Sequence, residues 1–287
     1  MIDYMYKRLF LAVLLCGTVW SAGAQTYEEL CERASTAISR DSLVQAEHYI
    51  RQALRLDPAN MRNALLFANL GTVQRMRRQY DEALESYTYA LNMAPRNPLI
   101  LLNRASLYLE LEQADKARID YSLVLDVQPD NLEALEMRAY IYTEQKDFKA
   151  ARADYNHLLE LSPRHFNGRL GLAMLEQKEG RLKEALAILD GMVNEKGEGT
   201  SLQTAHQHAV VYVARAGVQQ DLGNFPMALM DLDEAIRLDK SRSEAYLMRG
   251  QIYLAQGKKS QAKENLEEAV NLGFSKEELS DLLEQCK

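Results

Sequence analysis

Seven alanines recur along the chain at a near-constant interval. Ala46, Ala83, Ala117, Ala151, Ala185, Ala228 and Ala262 are separated by 37, 34, 34, 34, 43 and 34 residues. Seven residues after each stands a second small or apolar side chain: Ala53, Ala90, Val124, Leu158, Met192, Ala235 and Ala269. In four periods a proline follows five residues later, at Pro58, Pro95, Pro129 and Pro163. Self-similarity at this period restricts the fold to an array of like modules, each burying its apolar face on its neighbours.

Each period reads as two amphipathic stretches of about 12–15 residues, with apolar side chains three and four apart. In the fourth these are Leu135, Ala139 and Tyr142, then Phe148, Ala151, Tyr155 and Leu159. A charged or glycine turn separates the two, as at Gln145-Lys-Asp147 and Glu179-Gly-Arg181. The module is therefore a helical hairpin, with alanine where its helices cross closely. Fourteen glycines and six prolines are also few for an all-β chain. One charge pattern repeats with the module. Arg104, Arg138 and Arg215 are each followed sixteen residues later by Asp120, Asp154 and Asp231 on the partner helix. Where the arginine place holds Leu70 or Leu172, the acid place holds Ser86 or Ile188. Three structural ion pairs within hairpins are expected. In the end repeats Arg33 faces Tyr49 and Arg249 faces Asn265.

The best-formed period, residues 64–97, carries Phe67, Leu70-Gly71, Tyr80, Ala83, Tyr87, Ala90 and Pro95. The next two carry Tyr108, Ala117, Tyr121, Pro129 and Tyr142, Ala151, Tyr155, Pro163. This pattern resembles the tetratricopeptide repeat family. The resemblance implies an all-α fold, a right-handed α-solenoid of about seven helix-turn-helix repeats. The repeats fall at about 27–60, 64–97, 98–131, 132–165, 166–199, 209–242 and 243–276. Ser275-Lys-Glu-Glu278 has the capping-box pattern, and a capping helix is expected over Lys276 to about Gln285, faced by Leu279, Leu282 and Leu283. The first repeat departs from the family in lacking the turn glycine and in holding Ala37 at an aromatic site. The fifth departs with Arg169 at a core site and Gly197 at the proline place. Thr200-Ser-Leu-Gln203 can cap a helix, which predicts a lengthened first helix in the sixth repeat, after a loop over Glu195 to Gly199. That 195–208 insertion is a tolerated loop variation, a bend in the array or a partner contact.

Repeats and cap consume the chain after residue 24, leaving no stretch for a catalytic domain. No Gly-rich phosphate loop, H-E-x-x-H or G-x-S-x-G occurs. His48, His157 and His165 lack acidic or cysteine partners in a ligand motif, and His206 and His208 on a helix point to different sides. No enzyme activity, cofactor or metal is expected. The net charge of −7 opposes a phosphate-backbone binder, and nucleic acid is not an expected partner. The one basic cluster, Arg75, Arg77 and Arg78, lies at a helix C-terminus, where cations complement the macrodipole.

In the resembled family the first helix of each repeat lines a concave groove. Carrying those positions over gives Leu65, Ala68, Asn69 and Thr72, then Leu99, Leu102, Asn103 and Ser106. Glu133, Glu136 and Tyr140 follow, then Leu170, Met174, Val213, Gln220, Leu247 and Gln251. The resemblance implies a protein or extended peptide as partner. Asn69 and Asn103 stand where some members place asparagines on a ligand backbone, and an amide both donates and accepts. Most bases of a carboxylate clamp are missing, Arg75 excepted, and the acidic fourth repeat favours a neutral or basic ligand. The alternative is a structural spacer or self-associating assembly subunit without a peptide ligand.

Residues 1–24 stand apart. Lys7 and Arg8 precede a mostly apolar run from Phe10 to Val19, and Ala22-Gly23-Ala24 offers a cleavage site. The run falls short of the roughly 20 apolar residues that span a bilayer. A cleaved secretory signal is expected, leaving Gln25 as the new N-terminus of a periplasmic or envelope-associated protein with no transmembrane span. The other readings are an uncleaved anchor and lipidation at Cys16. The second is disfavoured by Leu15, which occupies the place of the usual small residue. The mature chain keeps Cys31 and Cys286, at opposite ends and too far apart in an elongated array for a disulfide.

Overall fold

The computed structural model describes residues 26–194 and 202–287. Among these residues there are fifteen helices and no strand. Seven hairpins are formed by α1 (Tyr27–Ser39) with α2 (Leu43–Leu56), α3 (Asn63–Met76) with α4 (Tyr80–Met93), and α5 (Pro98–Glu110) with α6 (Ala114–Val127). The remaining four pair α7 (Leu132–Glu144) with α8 (Phe148–Leu161), α9 (Phe166–Lys178) with α10 (Leu182–Asn194), α11 (Leu202–Asp221) with α12 (Phe225–Leu238), and α13 (Ser243–Ala255) with α14 (Lys259–Asn271). A short α15 (Ser280–Gln285) closes the chain. The expected signal segment, the 195–199 loop and the Thr200 cap lie outside the described residues.

The alanine register sets the packing. All seven first-series alanines are fully buried, and the second series from Ala53 to Ala269 is buried with them. Four residues after each first-series alanine a large side chain fills the space between the helices: Ile50, Tyr87, Tyr121, Tyr155, Leu189, Leu232 and Leu266. Burying each such side chain stabilises the fold by about 1.5–3 kcal/mol. In the fourth hairpin Leu158 is fully buried, as its place in the second series implies, whereas Leu159, expected on the apolar face of the same helix, is half-buried.

The hairpin turns are alike to the level of single hydrogen bonds. The fifteenth residue of every repeat has positive φ: Asp41, Arg78, Glu112, Lys146, Gly180, Gly223 and Gly257. In the third, Gln113 N–H donates to Tyr108 C=O at 2.7 Å and Glu112 N–H to Leu109 C=O at 3.0 Å. This paired bonding ends a helix by satisfying its last carbonyls, and it needs a left-handed residue at that place.

The described residues divide into two compact units, with the boundary between Ala134 and Leu135. In the first, α2 packs on α3, and α3 and α4 pack on α5. Tyr27, Leu30, Ile50, Leu66, Leu70 and Val73 share one core there. In the second, α8 packs on α9, α10 on α11, and α12 on α13. α11 has 20 residues where the other first helices have 13 or 14, so the lengthened helix is present. The capping helix is shorter than expected. Ser275 and Glu278 make both capping-box bonds, at 3.1 and 3.3 Å, but residues 276–279 form turns and the helix starts at Ser280. Leu282, Leu283 and the buried Cys286 pack on Ala262 and Leu266. Cys31 and Cys286 are both free thiols.

Candidate functional site

In the first unit the candidate face is built by α3 and α5, which touch directly. Residues three and four apart on a helix share a side, which groups Leu65, Asn69 and Thr72 on α3 and Leu99, Leu102, Asn103 and Ser106 on α5. Leu65, Asn69, Leu99, Leu102 and Asn103 are half-buried, whereas Ala68 is buried.

Two of the expected ligand contacts are turned inward. Thr72 Oγ1 donates to Ala68 C=O at 3.1 Å and lies 3.0 Å from the Tyr87 hydroxyl, which is left as donor to it. Ser106 is buried, with its hydroxyl 3.4 Å from that of Tyr121. These hydroxyls anchor core tyrosines. Burial pushes the Tyr87 phenol up to about 12, against the Thr72 bond, and raises Tyr121 likewise. Asn69 and Asn103 differ: neither amide has a side-chain hydrogen bond among the described residues. Arg75 is engaged. Its Nε donates to Glu110 Oε2 at 2.7 Å, and Tyr80 Oη donates to Glu110 Oε1 at 2.8 Å. Arg77 pairs with Glu47, so two of the three clustered bases are neutralised.

The sixteen-residue pairs meet. Arg104 Nε and Nη2 each reach Asp120 at 2.8 Å, and Arg138 holds Asp154 with the same two bonds at 2.8 Å. Arg215 holds Asp231 at 2.9 and 2.6 Å. Such two-point forks are the strong form of the guanidinium–carboxylate bond. In the last repeat Arg249 Nε donates to Asn265 Oδ1 at 2.7 Å. Two further acids, not expected from the sixteen-residue pairing, join these arginines: Arg215 also reaches Asp190 at 2.8 Å and Arg249 reaches Asp233 at 2.6 Å, each from the preceding hairpin. Both acids occupy the twenty-fifth place of their repeats, a recurrence visible once the repeats are aligned. Each arginine also lies over a tyrosine of its own helix, Tyr108, Tyr142, Tyr212 or Tyr246.

In the second unit, Glu136 and Tyr140 stand one turn apart on α7. Glu136 accepts from Asn167 Nδ2 at 3.0 Å, and burial pushes its carboxyl above the usual range. Leu170 is buried, while Met174, Val213, Gln220, Leu247 and Gln251 are half-buried. Glu133, at the end of the first unit, is exposed. His206, on the added turns of α11, bonds through Nδ1 to Asp239 Oδ2 at 2.8 Å, while His208 is half-buried. Among the described residues no group of three His, Cys, Asp or Glu side chains is arranged to hold a metal, and no helix is long and apolar enough to cross a membrane.

Tetratricopeptide repeat models match residues 75–141, 142–208 and 243–272. A solved tetratricopeptide repeat protein from Parabacteroides merdae is 33% identical over 92% of this chain and 99% of that one, with a TM-score of 0.78. PilW, a widely conserved type IV pilus biogenesis factor, is 20% identical over 76% of this chain and 98% of its own, with a TM-score of 0.62. YrrB, described as having an unusual peptide-binding site, is 18% identical over 68% of this chain and 95% of its own, with a TM-score of 0.53. No curated protein matches the sequence.

Proposed function

The chain belongs to the tetratricopeptide repeat family, and from that premise we propose that it is a non-catalytic scaffold of the cell envelope that captures a protein or extended peptide. The ligand lies on the face made by the first helices α3 and α5 of the first unit. The observation that carries this reading is the pair Asn69 and Asn103. They hold equivalent places in successive repeats, and their amides make no side-chain hydrogen bond among the described residues. Half-buried Leu65, Leu99 and Leu102 flank them. A polar group without a protein partner, beside partly covered apolar surface, suits a peptide backbone that both donates and accepts. Arg75 is committed to Glu110, which argues against a clamp for a terminal carboxylate.

The envelope location rests on residues 1–24. Mass spectrometry of the protein from its own cells should find Gln25 at the N-terminus; a chain retaining residues 1–24 would contradict it. The binding reading is tested by crosslinking and affinity capture from the envelope fraction. Wild type should retain a partner that Asn69→Ala/Asn103→Ala loses. Equal recovery by both removes the amides from the mechanism.

A further inference from the structure

We propose that Glu136 and Tyr140 form a subsite for a lysine or arginine side chain of the bound partner. This rests on the reading that the first-helix face takes a peptide, and it adds the class of side chain selected there.

The fifth place of every other repeat is uncharged: Cys31, Ala68, Leu102, Leu170, Val213 and Leu247. The fold therefore has no need of a carboxylate at Glu136. The side chain is only 22% exposed. One oxygen accepts from Asn167, and the other lies 3.7 Å from His165 Nε2, the only basic group within salt-bridge distance among the described residues. His165 cannot serve as a standing counter-charge. Its Nδ1 caps α9 by accepting Gly168 N–H at 3.1 Å, and burial lowers its affinity for a proton. Glu136 is thus a largely desolvated carboxylate with no paired cation, the state that gains most from an incoming positive charge.

Tyr140 departs from its repeat pattern in the same direction. In the second and third repeats the ninth place is Thr72 or Ser106, whose hydroxyl faces a core tyrosine. In the fourth repeat the core Tyr155 is instead hydrogen-bonded to Thr143. The ninth side chain is thereby released from anchoring, and it is a tyrosine that is 39% exposed. A carboxylate one turn from an exposed ring offers an ion pair and a cation–π face to the same ammonium or guanidinium group.

The test uses three capped, dye-labelled peptides, Leu-Lys-Leu-Lys-Leu and its Gln and Glu counterparts, titrated onto the full-length protein at low salt. The lysine peptide should bind about tenfold tighter than the glutamine peptide, as expected for a cation entering a desolvated acidic site. That margin should vanish in Glu136→Gln and fall about threefold in Tyr140→Ala. Glu160→Gln removes an exposed charge from the same hairpin and should leave the margin intact. Equal binding of the lysine and glutamine peptides overturns the subsite while leaving peptide capture standing. An equal loss in Glu160→Gln also overturns it, by assigning the preference to net charge. Failure of every peptide to bind wild type removes both the subsite and the peptide-binding reading.

Discussion

Arg104 and Asp120 are joined by two parallel hydrogen bonds of 2.8 Å across the third hairpin, with the carboxylate only 2% exposed. The fork ties the two helices in register, and the same pairing recurs in the fourth and sixth hairpins. Removing one partner strands the other charge in a low-dielectric interior.

Asp120→Ala should therefore destabilise the protein by about 3 kcal/mol in urea unfolding. The double variant Arg104→Leu/Asp120→Ser copies the Leu70 and Ser86 of the second repeat. It should recover most of that loss, because no buried charge is left unpaired. A double variant as unstable as the single one would show that the pair contributes attraction the apolar version lacks.

The turns supply a second prediction. Glu112 and Lys146 hold φ of 58° and 61°, where a side chain is strained by about 1–2 kcal/mol relative to glycine. Glycine also gains unfolded-state freedom, which offsets part of that. Glu112→Gly and Lys146→Gly should each raise stability by roughly 0.5–1 kcal/mol, read as a higher melting temperature. Gly223→Ala, at φ 75°, should lower it by a similar amount.

Asp239 supplies a dependence on pH. Burial alone would raise its carboxyl, but bonds from the Ser241 hydroxyl, His206 and the Ser241 N–H, with Arg242 nearby, bring it down to about 2. A carboxyl lowered on folding binds protons more weakly in the native state. Its stabilisation is complete above the ordinary value of 3.8 and disappears as pH falls towards 2. Asp239→Asn should thus cost about 2 kcal/mol at pH 7 and little at pH 2. An equal cost at both pH values would show that the carboxylate charge contributes nothing.

Much of this was legible because one spacing governs many contacts. The buried alanines, the hairpins and the Arg–Asp forks all follow from a 34-residue register that fixes which side chains meet within a module. Contacts between modules were harder to read. The Arg215–Asp190 and Arg249–Asp233 bonds depend on how one hairpin seats on the last. The inward turn of Thr72 and Ser106 was also hidden, since a hydroxyl on a helix face serves a core tyrosine as readily as a ligand. The late start of α15 follows from the poor i to i+4 bonding after Ser275, where Leu279 N–H reaches Ser275 C=O only at 3.3 Å. A capping box alone does not show this.

We propose that the first-helix face of the second and third repeats binds a peptide backbone through Asn69 and Asn103. The most direct test is the dissociation constant of the captured partner, measured for wild type, Asn69→Ala/Asn103→Ala and Thr88→Ala, an exposed site on α4. The double variant should lose at least tenfold in affinity, about 1.4 kcal/mol, and Thr88→Ala none. An unchanged constant in the double variant, with the fold intact by circular dichroism, would contradict it.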